Sequence, residues 1–122
     1  WDRSRRAKDW HKIHKHDLNL YQLVDWVVNP ATGPHNCSFA ELVATEREQP
    51  AQPAKWFISH WWGEPVVEFI ECVANHSRIR LVLETDSYWA CAYANNQHKL
   101  GTELGVDPKK SCFAKVMKIA CG

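Results

Sequence analysis

Two short polar clusters hold the side chains best suited to chemistry: Ser59-His60-Trp61-Trp62-Gly63-Glu64 and Asn95-Asn96-Gln97-His98. Each follows an apolar run rich in strand formers, Trp56-Phe57-Ile58 in the first case and residues 88–94 in the second. The imidazoles of His60 and His98 can shuttle protons or bind metal, Glu64 can act as a base, and the Asn95, Asn96 and Gln97 amides can fix a polar ligand. The indoles, Trp62 among them, can stack on a flat group. Ser59 beside His60 is not a nucleophile pair, because neighbours on a strand point to opposite faces. No nucleophile elbow, Walker loop or dinucleotide fingerprint occurs. A structural role competes with the ligand-binding one at both clusters. Amides after a strand often satisfy turn backbone, and paired Trp residues often pack on nearby helices.

A third cluster, His11-x-x-His14-x-His16-Asp17, has imidazoles at helical spacing beside a carboxylate, which suits zinc. Its surroundings disfavour a cation. Arg3, Arg5, Arg6, Lys8, Lys12 and Lys15 face only Asp2 and Asp9. This basic arm reads as a solvated lead-in or as a segment lying on an acidic surface, and no metal is expected.

The elements that must position these residues follow from periodicity. Residues 17–28 predict a helix capped by Asp17, with Leu20, Leu23, Val24, Val27 and Val28 on its apolar side, ended by Asn29-Pro30 and Gly33-Pro34. Ser38 and Glu41 have capping-box spacing, so a second short helix follows. Residues 48–54, EQPAQPA, form a linker. Residues 1–54 are therefore a basic, helical N-terminal segment, and residues 55–122 a βαβα unit. In that unit both strands are expected to be buried on both faces. Pro65 opens the intervening helix, and Val66, Phe69, Ile70 and Val73 form its stripe, widened by Val67 and Ala74. Asp107-Pro108 opens the last helix, with Phe113, Val116, Met117 and Ala120 buried, its lysines wet and Gly122 as its C-cap. The order strand, helix, strand, helix calls for a parallel sheet. Two strands are too few for a stable one. The fold is then truncated, completed by a partner, or completed by residues 79–83, which suit either a helix end or an edge strand.

Composition narrows the function classes. The chain has 122 residues, 45% of them apolar, and a net charge of +1, which fits one ordinary globular domain and not a general nucleic-acid binder. Its five cysteines are odd in number and lack C-x-x-C pairing, so neither a disulfide framework nor a zinc ribbon is expected. Cys72, Cys91, Cys112 and Cys121 lie in apolar runs, as small core residues would. No run is long and apolar enough to span a membrane. An intracellular, cytoplasmic location is the simplest reading, with an organelle left open.

At the two strand ends the sequence resembles fungal heterokaryon-incompatibility (HET) domains, relatives of the Toll/interleukin-receptor (TIR) fold. Ile58-Ser59-His60-Trp61-Trp62-Gly63 is similar to their L-S-Y-x-W-G, with His60 in the Tyr place. The segment 89–97 is similar to their W-I-D-A-x-C-I-N-Q, matching at Trp89, Ala92, Asn96 and Gln97. The family's Asp position holds Cys91, its Cys position holds Ala94, and the gap between motifs is short. The last helix, with Met117, is similar to a Met-containing helix of that family. Protist proteins carrying S-H-W-W-G-E-P are also similar. The resemblance covers residues 55–122. It implies a TIR-like (flavodoxin-like) parallel sheet and a protein-interaction or scaffold role, with a protein partner or a second copy and no cofactor. Some TIR relatives cleave NAD with a Glu beyond the second strand. No residue here matches that Glu, which leaves an NAD or nucleotide glycohydrolase as the alternative, and a subunit of a larger assembly as a third reading.

Overall fold

The computed structural model describes residue 14 and residues 16–50, 52–101 and 107–120. The basic arm, His11, Cys121 and the Gly122 cap lie outside the described residues. His14 and His16 are exposed.

The first helix, α1 (residues 20–32), starts two residues later than expected. Asn19, not Asp17, caps it. The Asn19 side chain accepts from the Gln22 amide at 3.1 Å, and the Gln22 side chain accepts from the Asn19 amide at 2.9 Å. This reciprocal box satisfies two otherwise orphaned donors. The helix also runs through Asn29-Pro30 instead of ending there. Leu20–Leu23 is followed by a π-helical stretch, Val24–Val28, then by Asn29–Thr32 and a 3-10 turn, Gly33–His35. A proline ring normally collides with the carbonyl four residues before it, and the wider π turn gives that carbonyl room. The extra residue rotates the apolar stripe. Leu20, Val24 and Val28 are buried, while Val27 is exposed.

Helix α2 (Phe39–Glu46) begins on the expected capping box of Ser38 and Glu41. Strand β1 (Trp56–Ile58) and strand β2 (Tyr88–Ala90) then pair in parallel, with Trp56 opposite Tyr88, Phe57 opposite Trp89 and Ile58 opposite Ala90. Lys55 and Asp86, 2.8 Å apart, tie the two strand starts together. Helix α3 (Val66–Arg80) connects the strands. Pro65 sits one position outside α3, as its cap. Alternation along the strands assigns the layers. Trp56 meets His76 of α3, so Trp56, Ile58, Tyr88 and Ala90 share the α3 face. Phe57 and Trp89 face the other way, onto Phe113 of the last helix, at 6.3 and 5.2 Å between ring centroids. The result is an α/β arrangement with helices on both faces of a two-stranded parallel sheet.

Five expectations change in this frame. The second strand stops at Ala90, and Cys91–Ala94 forms a helical turn, α4. Alanine at positions 92 and 94 favours that turn, and the Gln97 side chain donates to its Cys91 and Ala92 carbonyls, the first of which also accepts the Asn95 amide. Residues 79–83 supply no third strand. Helix α3 continues to Arg80 and closes on Leu81 in the left-handed conformation, whose amide donates to the Ser77 carbonyl. The last helix, α5 (Cys112–Ile119), is capped by Ser111, while Asp107 instead starts a 3-10 turn, Pro108–Lys110. Along the stripes, Phe113 and Val116 are half-buried, but Met117, Ile70, Ala74 and Cys72 are exposed, because no described element covers them. Of the strand residues Trp89 and Ala90 are buried, and all of β1 is half-buried.

The core draws on both sides of the linker. Leu20, Val24 and Val28 of α1 pack with Val66 of α3 and Ala92 of α4, with Phe39, Trp62 and Tyr93 around them. Two backbone bonds reinforce it: the Leu20 amide to the Trp62 carbonyl at 3.1 Å and the Val66 amide to the Leu18 carbonyl at 2.7 Å. The loop after β1 is thereby fastened at its middle, and again where α3 begins, to the start of α1.

Candidate functional site

The structure divides the seven candidate residues into two groups with different surroundings. Ser59, His60 and Glu64 line a cavity of about 320 Å³ between β1 and α3. Trp62, Asn95, Asn96 and Gln97 lie outside it, with Trp62 against Tyr21 of α1.

The second group is occupied in holding the fold. The Trp62 indole donates to Cys91 Sγ at 3.0 Å, and its ring lies 5.4 Å from Tyr21. Asn96 is buried, donates to the Asn36 carbonyl at 2.7 Å and accepts from the His98 amide at 3.0 Å. The Gln97 amide donates to the Cys91 carbonyl at 2.8 Å and the Ala92 carbonyl at 3.2 Å. His98 Nε2 meets Thr32 Oγ1 at 2.9 Å. Thr32 spends its one hydroxyl proton on the Val28 carbonyl, at 2.7 Å. His98 must therefore donate from Nε2, which fixes its tautomer. Together these bonds clamp the end of α1 onto the segment after β2. Asn95 Nδ2 and Gln97 Oε1 are buried without a hydrogen-bond partner among the described residues. Burial pushes the Cys91 thiol above its ordinary value, only partly opposed by the Trp62 indole, so Cys91 is a poor nucleophile.

The first group is less constrained. Ser59 is exposed at the end of β1. The His60 ring packs on Phe69 at 4.6 Å, and both its nitrogens are buried without a hydrogen-bond partner. Burial pushes its pKa below 6.5, against the pull of the Glu64 carboxylate and the nearby Ile58 backbone. The imidazole is thus neutral at pH 7. The unfolded chain takes up a proton near 6.5, whereas the folded one resists until lower pH. Stability from this residue is therefore complete above about 6.5 and declines as pH falls toward the folded pKa. His60→Phe should flatten the loss of stability between roughly pH 7 and pH 5. Urea denaturation across that range measures it, and identical slopes for both proteins would contradict it.

Sequence reasoning missed the cavity's other wall. Trp56, Phe69, Cys72, His76 and Tyr88 complete it. His76 Nδ1 and the Tyr88 hydroxyl are 2.9 Å apart, and the His76 ring meets Trp56 edge-on at 4.8 Å. The available signal was the spacing of Phe69, Cys72 and His76, which share one side of a helix. The same spacing is ordinary for the core-facing side of a helix, so by itself it does not mark a site. Gly63 keeps the loop beneath Trp61: a Cβ there would collide with the indole ring.

Among the described residues no group of three or more His, Cys, Asp or Glu is placed to hold a metal ion. None of the four described cysteines forms a disulfide. No described helix is long and apolar enough to cross a membrane. Compared with known proteins, the chain matches no family model, no curated sequence and no solved structure.

Proposed function

We propose that this chain is a TIR/HET-like protein-interaction domain that assembles through the uncovered part of its α3-facing sheet surface. The observation that carries the reading is an apolar groove of about 540 Å³ between α2 and α3, floored by Ile58, Tyr88 and Ala90 and walled by Ile70, Ala74 and Tyr93. Ile70 is 56% exposed and Leu81, at the end of α3, 83% exposed. Leaving such side chains wet gives up stabilisation of about 25 cal/mol for each Å² of apolar surface that a partner would cover. Of the amides that a catalytic reading would use, Asn96 and Gln97 donate instead to backbone carbonyls. The shared first-strand and second-strand motifs, in order, supply the family part of the proposal. The four described thiols are unpaired, which supports an intracellular location for the proposed domain.

A second copy of the chain is the simplest occupant of this groove. Light scattering on size-exclusion fractions should show self-association that Ile70→Glu weakens at least about tenfold, the effect of placing a charge in an apolar contact. A strict monomer at every concentration, unaltered by Ile70→Glu, would overturn the reading. His60 beside Glu64 favours the alternative, an NAD or nucleotide glycohydrolase. NAD turnover that disappears on His60→Ala would put that reading first.

A further inference from the structure

We propose that the cavity between β1 and α3 binds a small organic cation, held by aromatic walls and the Glu64 carboxylate. The cavity adjoins the assembly groove and shares Ile58, Phe69, Val73 and Tyr88 with it, whereas Trp56, His60, Glu64 and His76 line the cavity alone.

The chemistry of the lining carries it. Trp56, His60, Phe69, His76 and Tyr88 contribute rings, Glu64 contributes the one acidic side chain, and neither Lys nor Arg takes part. A π face is negative, so rings around a cavity favour a cation over a neutral or anionic guest. The rings meet at steep angles instead of stacking: 76° for Trp56 and His76, 75° for His76 and Tyr88, 48° for His60 and Phe69. A tilted pair leaves more ring face uncovered by its partner than a stacked pair does. His60, neutral by burial, adds no opposing charge. Half-buried Glu64 supplies the counter-charge, and its attraction is stronger there than in open water. An anion would meet that carboxylate with no cationic side chain to offset it, and a neutral apolar guest would leave the carboxylate unpaired. The volume of about 320 Å³ is at the small end for ligand sites, suiting a free solute the size of choline or a methylated amine.

The test is a titration of the full chain with choline and with its neutral isostere, 3,3-dimethylbutan-1-ol, followed by side-chain NMR signals. Choline is expected to give saturable shifts at Trp56, His76 and Tyr88. The alcohol should bind at least about tenfold more weakly, and Glu64→Gln should weaken choline by a similar factor. Cys72→Phe, at an exposed position whose side chain reaches the cavity, should abolish the shifts while the rest of the spectrum stays folded. Equal binding of the two isosteres, no saturable response to choline, or full affinity in Glu64→Gln would each overturn the proposal. If Glu64→Gln fails to fold, the comparison of isosteres on the unaltered chain decides alone. Sedimentation with phosphatidylcholine vesicles, without any response to free choline, would also overturn it in favour of a lipid surface.

Discussion

Trp89→Ala is expected to cost about 3–5 kcal/mol of folding free energy. That is a large share of the roughly 5–15 kcal/mol by which small domains are stable. Trp89 is buried on the face of the sheet opposite α3. It stacks on Phe57 of β1 at 5.3 Å and receives the edge of Phe113 of α5 at 5.2 Å. One ring therefore joins β1, β2 and α5. Its removal leaves a void between sheet and helix, and neither Phe57 nor Phe113 can fill it without giving up its remaining contact. Trp89→Phe, which keeps a ring there, should lose distinctly less. Urea denaturation followed by circular dichroism measures both. A loss below about 1 kcal/mol for Trp89→Ala would show that α5 does not pack on the sheet.

Leu20→Ala should lower stability by about 2–5 kcal/mol and also disturb a loop forty residues away in sequence. Leu20 is fully buried against Val24, Val28, Val66 and Ala92, so truncation opens a cavity at the centre of the shared core. Its amide holds the Trp62 carbonyl, and the Val66 amide holds Leu18. Faster hydrogen exchange is therefore expected in residues 62–66 as well as in α1. Exchange that changes in α1 alone, with β1, β2 and α3 as protected as before, would mean that the N-terminal helices and the strand unit do not depend on one another. The distinction bears on function, because the loop that α1 restrains carries His60 and Glu64 into the cavity.

Much of the local structure was legible from residue types alone. The Ser38–Glu41 box, the strand character of Trp56-Phe57-Ile58 and the helical spacing of Val66 and Phe69 each depend on neighbours within a few residues. So does the α/β order, which demanded that β1 and β2 run parallel. Local rules failed where a distant partner decided the outcome. Asn29-Pro30 reads as a helix end, yet α1 passes through it, because Val28 and Thr32 are buried and His98 holds Thr32 from the far end of the chain. Residues 91–94 are apolar enough for a strand, but Gln97 folds back on their carbonyls and favours a helical turn.

The candidate site shows the same division. The sequence placed His60 and Glu64 after β1, and parallel pairing set β1 beside β2, but the helical turn α4 separates Asn96 and Gln97 from the end of β2. Only the tertiary structure separated them by task. Asn96 and Gln97 are consumed by carbonyls of Asn36, Cys91 and Ala92, whereas His60 and Glu64 remain on a cavity completed by His76 and Tyr88. A side chain's chemical type is fixed by its own atoms. Whether its hydrogen-bonding capacity is spent or spare depends on which groups the rest of the chain brings within about 3 Å, and no short-range pattern in the sequence encodes that.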